Sequence, residues 1–196
     1  MELDIRAFTY VISLAAIING LGIVRLLGSV AAYLRHKDSL QVQHYWVYNL
    51  LAVFQFLVHV LLWWSMWGVR EEALNLVRYL YLLTGPILLY LGTSVLVPDV
   101  DEKTIDLRSI YQGFRKFYFS ISIFLWIWAI LVWPVFRGFV APTTWLWSIL
   151  LAIAVVLRFS DNSRVHAALV TTNCLVLVAY IVLFGMQLGG VAQMLR

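Results

Sequence analysis

Charged side chains fall in clusters along this chain and leave uncharged, largely apolar stretches over 39–69, 79–98, 117–136, 138–157 and 165–195. Each is long enough to cross a bilayer core, which takes about 20 apolar residues in a helix. The stretch from Ala7 to Leu34, interrupted only by Arg25, supplies one more. The pattern predicts a single domain over 1–196, an all-α bundle of six transmembrane helices at about 7–34, 42–67, 73–97, 117–135, 142–157 and 165–188. The roughly 10-residue alternating segments of a membrane barrel are missing from the pattern.

Polar positions inside these spans are few, so each carries information. Arg25 stands at bilayer depth, where a charge normally faces a bundle interior, a water-filled cavity or a partner. Asn19, Gly20, Gly22 and Gly28 surround it, and Ala15, Gly22 and Ser29, seven apart, make a smooth face for a neighbouring helix. At 100° per residue, Gln41, His44, Tyr48, Gln55, His59 and Met66 share one face of the second span. His166, Asn173, Tyr180 and Gln187 recur every seven residues in the sixth, the period of a packed seam. Amides and imidazoles are costly in hydrocarbon, so both stripes must face protein or water, and each is one candidate partner for the other.

Between the spans, Pro86 in Thr84-Gly85-Pro86 removes a backbone donor and predicts a kink in the third helix. The charged segment 98–108, punctuated by Ile105, Leu107 and Ile110, predicts an amphipathic turn on the membrane surface. Trp63, Trp64 and Trp67, and again Trp133, Trp145 and Trp147, read as interfacial aromatic belts. Ser163 is a plausible helix N-cap. Arg78 with Thr84-Gly85-Pro86 echoes Arg164 with Thr171-Thr172-Asn173, a faint hint of a three-plus-three repeat.

Composition sharpens the class. The chain is 63% hydrophobic and 12% charged, with a mean hydropathy of +0.88, against about 45–50% and 25% in a soluble domain. Its net charge of +4 is split among short loops without a basic run, so no nucleic-acid partner is expected. Cys174, the single cysteine, cannot form an intrachain disulfide and reads as a packing residue. Glu2 and Asp4 replace a basic leader, so the first span is expected to stay in the membrane. Arg35, Lys37, Lys103, Arg108, Arg115, Lys116, Arg158 and Arg164 flank one side of the bilayer; Arg6, Arg70, Arg78, Arg137 and Arg196 flank the other. By the positive-inside rule that eight-to-five bias puts both termini outside, in a membrane of the bacterial inner or plasma type.

The chemistry the sequence withholds matters equally. No carboxylate lies at bilayer depth, so coupling to protons or sodium through a buried acid has no candidate. A zinc-protease His-Glu-x-x-His is missing. Gly92-Thr93-Ser94 opens like a rhomboid serine motif, but Val95 stands where the second glycine belongs. No enzyme is predicted, and no cofactor; His44 and His166, at similar expected depth, are the weak candidates for a haem b, and no metal site is expected. The sequence therefore suggests a passive channel, or a solute- or anion-binding transport component. Arg25 would face its cavity, and Asn19, Gln55, His59, His44, Asn173 and Tyr180 would line it. The alternative is a non-catalytic accessory subunit that holds lipid, further membrane subunits or copies of itself.

Overall fold

In a computed structural model, residues 2–36, 41–70, 72, 74–97 and 104–186 are described. Six α-helices follow in order: α1 (Glu2–His36), α2 (Trp46–Met66), α3 (Leu76–Leu96), α4 (Leu107–Arg137), α5 (Thr144–Phe159) and α6 (Ser163–Tyr180). The all-α expectation holds for these elements. Five of them are long and apolar enough to cross a membrane. The sixth expected span is α5, whose 16 residues make a helix of about 24 Å at 1.5 Å per residue, short of a core of about 30 Å. Pro142 precedes it, Arg158 stands in its last turn, and it packs chiefly along α4.

The helices pair unequally. α1 packs along α3, α3 along α4, α4 along α5, and α6 sits against α2 and α5. A three-plus-three repeat would pair α4 with α6 as α1 pairs with α3, and the principal packing does not follow that scheme. One core runs through α2, α4, α5 and α6 around Leu51, Tyr118, Leu150 and Leu177. A smaller one joins the first half of α1 to α3 through Phe8, Ile12, Ala15 and Leu82.

Local signals explain most of the boundaries. Asn75, Asp106 and Asn162 each cap the following helix, accepting from the backbone N–H of Arg78, Arg108 and Arg164. The cap of α6 is thus Asn162, one residue before the expected Ser163. Gly138, with φ of 73°, takes the left-handed turn that ends α4, and its N–H reaches Pro134 O. α3 continues through Pro86 as one helix. Gly85 beside it is required for a different reason, since a Cβ there would overlap the Trp128 indole.

Two expectations near the charged segment need correction. Thr104–Asp106 (β2) does not form an amphipathic turn but pairs in parallel with Gln41–Gln43 (β1), Val42 opposite Ile105. α4 then starts at Leu107, ten residues before the expected 117, because Asp106 caps it there. Gln41 and His44 consequently precede α2 and are exposed, so they do not extend its polar face. A polar-apolar-polar run of three residues fits both a strand and one edge of a helical stripe. The expected turn at 98–103, like Gln187 of the sixth-span stripe, lies outside the described residues.

Candidate functional site

At the centre of the bundle four helices exchange polar side chains. Asn19 of α1, Gln55 and His59 of α2, and Thr93 of α3 are all at most 3% exposed, and Tyr118 of α4 is 1% exposed. Spacings of four residues put Gln55 and His59 on one face of α2, and Leu89 and Thr93 on one face of α3. Tyr118 Oη donates to Gln55 Oε1 at 2.8 Å. Gln55 Nε2 donates to Thr93 Oγ1 and to Leu89 O, each at 3.1 Å. Thr93 Oγ1 lies 2.8 Å from His59 Nε2, and His59 Nδ1 lies 2.8 Å from Asn19 Oδ1. Asn19 Nδ2 closes the chain on His59 O at 3.2 Å.

These partners assign the protons. Asn19 Oδ1 can only accept, so His59 carries its proton on Nδ1; Nε2 of the neutral ring then accepts from the Thr93 hydroxyl, whose oxygen accepts from Gln55. From Tyr118 to Asn19 each link donates in the same direction, and Asn19 Nδ2 then returns a bond to His59 O. The network spends its polar groups on itself, which is what a buried polar layer requires in lipid. Gly22 makes room for it: a Cβ at that position would overlap the His59 imidazole.

A second cluster sits where α4 meets the turn between α5 and α6. Tyr111 Oη donates to His166 Nδ1 at 2.6 Å, and His166 Nε2 donates to Ser160 O at 3.0 Å. Arg115, 9% exposed, also donates to Ser160 O and pairs with the exposed Asp161. Because the Ser160 carbonyl only accepts, the proton of His166 is on Nε2, so the 3.3 Å approach of Arg115 to that nitrogen joins two donors and is not a hydrogen bond. The Arg115 guanidinium holds the Asp161 carboxyl below its ordinary value of 3.8, first through the hydrogen bond and then through its charge.

The sequence-derived candidates thus separate. Asn19, Gln55 and His59 meet. The polar groups of the α2 stripe are met from α1, α3 and α4 and not from α6, even though α2 and α6 are neighbours. Asn173 is 2% exposed and its Oδ1 has no hydrogen-bond partner among the described residues. Tyr180 packs on Trp147, ring centroids 4.5 Å apart. Trp147 also stacks on Trp126, so it belongs to the interior and not to the belt, unlike the exposed Trp63, Trp64, Trp67 and Trp145. His44 faces Tyr33 across 3.4 Å, and a haem bound by His44 and His166 would require His166 to surrender Tyr111 or Ser160. Arg25 is half-buried, one turn beyond Gly22.

Thr93, Tyr111, Arg115 and Tyr118 are not among the site candidates that the sequence offers. Tyr111 and Tyr118 are seven apart, with Arg115 between them, and that heptad spacing was the available signal.

Two cavities lie apart from the side chains of these clusters. One, about 430 Å³, is a groove between the second half of α1 and the first half of α2. Leu26, Val30, Ala52, Val53 and Phe56 line it, and Tyr33, His44 and Asn49 stand towards its end at β1. The other, about 130 Å³, lies on the far side of the central network among α2 to α6. Arg25 lines neither. In comparisons with protein families, curated proteins and solved structures, nothing matches this chain.

Proposed function

We propose that this membrane chain is a non-catalytic binding component whose ligand is an amphipathic lipid, held in the groove between α1 and α2. The observation that carries the reading is the shape of that groove. Leu27, Val30 and Val53 on its rims are 53%, 54% and 55% exposed, so it opens sideways, towards the bilayer. Its depth is apolar, and apart from Ser29 its polar side chains, Tyr33, His44, Tyr48 and Asn49, gather where α2 begins. An acyl chain along Leu26, Ala52 and Phe56 would bury apolar surface on both sides, and a headgroup would meet Tyr33 and His44.

A passive pathway for a polar solute or anion draws less support. Its expected lining, Asn19, Gln55 and His59, is engaged in mutual hydrogen bonds, and Arg25 borders neither cavity. An accessory role beside other subunits or further copies is compatible with lipid binding. The basic bias supports an inner-membrane orientation with both termini outside.

The test is lipid retention. Native mass spectrometry of the chain purified in mild detergent should show bound lipid that resists delipidation. Ala52→Trp and Val53→Trp, which fill the groove from two positions, should each lose it. Equal retention in both variants overturns the reading. Anion flux in proteoliposomes that disappears in Arg25→Leu, with lipid retention unchanged, would favour the pathway.

A further inference from the structure

The smaller cavity has a different character from the groove. Along α2 its wall runs from Val58 to Met66, about 12 Å of helix. Its inner end rests on Leu89, whose carbonyl the central network holds, and its outer end reaches Gly68 and Thr143. Trp126, Trp128, Trp133 and Trp147 contribute to the walls. Two of these indoles stack, Trp126 on Trp147 with planes 10° apart and centroids 5.8 Å apart. Trp128 is fixed by its Nε1–H donating to Tyr81 O at 2.8 Å. The walls are therefore set before anything enters, which lowers the ordering cost of binding.

Among the described residues, no ionisable side chain other than the Tyr180 phenol borders this space. The polar side chains, besides indole N–H groups, are the hydroxyls of Ser65, Thr143 and Tyr180. Thr143 is 1% exposed, and its Oγ1 has no hydrogen-bond partner among the described residues. A buried hydroxyl in that condition is an incomplete arrangement. The volume of about 130 Å³ is close to the roughly 150 Å³ of an engineered apolar cavity that takes one benzene.

We propose that this cavity is a second ligand site, independent of the lipid groove, for a compact neutral six-membered ring that carries one hydroxyl or carbonyl, as a phenolic or quinone-type ring does. The ring packs against the indoles, and its polar group bonds to the hydroxyl set of Thr143 and Tyr180. Size selects the single ring, a lining without charge among the described residues selects neutrality, and the hydroxyls of Ser65, Thr143 and Tyr180 on the walls select a polar substituent.

Fluorine NMR with 4-fluorophenol and fluorobenzene, on the full chain in nanodiscs, tests this. Both probes should bind saturably and compete with each other, 4-fluorophenol at least about fivefold tighter, a modest share of one hydrogen bond. Thr143→Val with Tyr180→Phe should erase that preference and leave fluorobenzene affinity unchanged. Ala129→Phe, which fills the cavity, should abolish both signals while groove lipid is retained. Non-saturable uptake by the unmutated chain, binding that survives Ala129→Phe in folded protein, or an undiminished preference in the hydroxyl-less variant would each overturn the proposal. The competition measurement needs no variant, so a failure of Ala129→Phe to fold leaves the proposal exposed to refutation.

Discussion

His59 rests directly on Gly22: the imidazole occupies the space that a Cβ at position 22 would fill, and both ring nitrogens are tied, to Asn19 and to Thr93. The ring cannot swing aside without breaking a bond, so the α1–α2 contact depends on this one missing methyl. Gly20 and Gly28 have open space where a Cβ would go. The three glycines around Arg25 therefore differ in kind, although the sequence presents them alike.

The first prediction follows from that contrast. Gly22→Ala overpacks the contact and should cost about 1–3 kcal/mol. Gly20→Ala adds a helix-favouring residue in open space and should gain about 0.5–1 kcal/mol. Unfolding in mixed micelles measures both, and equal effects at the two positions would refute the assignment of His59 to its glycine seat.

Thr93 is the hinge of the hydrogen-bond chain, donating to His59 and accepting from Gln55. Thr93→Val keeps the shape but leaves His59 Nε2 without its donor, at a cost of about 1–3 kcal/mol. Thr93→Ser keeps the hydroxyl and should lie closer to the parent. Thermal stability of the three proteins side by side decides, and a Val variant as stable as the Ser variant would show that the bond contributes nothing.

Asp161 links acidity to the turn between α5 and α6. Its carboxyl titrates below the ordinary 3.8 because Arg115 holds the charged form. The stabilisation is therefore complete above about pH 4 to 5, and is lost as pH falls through the lowered folded value. Asp161→Asn should be less stable than the parent at pH 6, and the gap should close as both are taken to low pH. A gap that persists or widens on acidification would contradict the pairing.

Orientation can be read separately from binding. With both termini outside, alkaline phosphatase fused after Arg196 should be active and a green fluorescent protein fusion at the same point dark. The reverse pattern would put both termini inside and overturn the reading of the basic bias.

Hydropathy alone determined that this is a membrane chain built of apolar helices, because the cost of placing charge in hydrocarbon is local and shows in any window of about 20 residues. Helical periodicity also placed Gln55 and His59 on one buried face, since 100° per residue is a property of the backbone. What a residue meets across the bundle is not local. It depends on how each helix is rotated about its axis and on which neighbour it packs against, and those are set jointly by all the interfaces. Hence the sequence pointed the α2 stripe at α6, whereas the fold turned it towards Asn19, Thr93 and Tyr118. The same reason hid Arg115, an apparent loop charge that its helix carries to a buried carbonyl, and left Arg25, the most conspicuous residue in the sequence, outside both cavities.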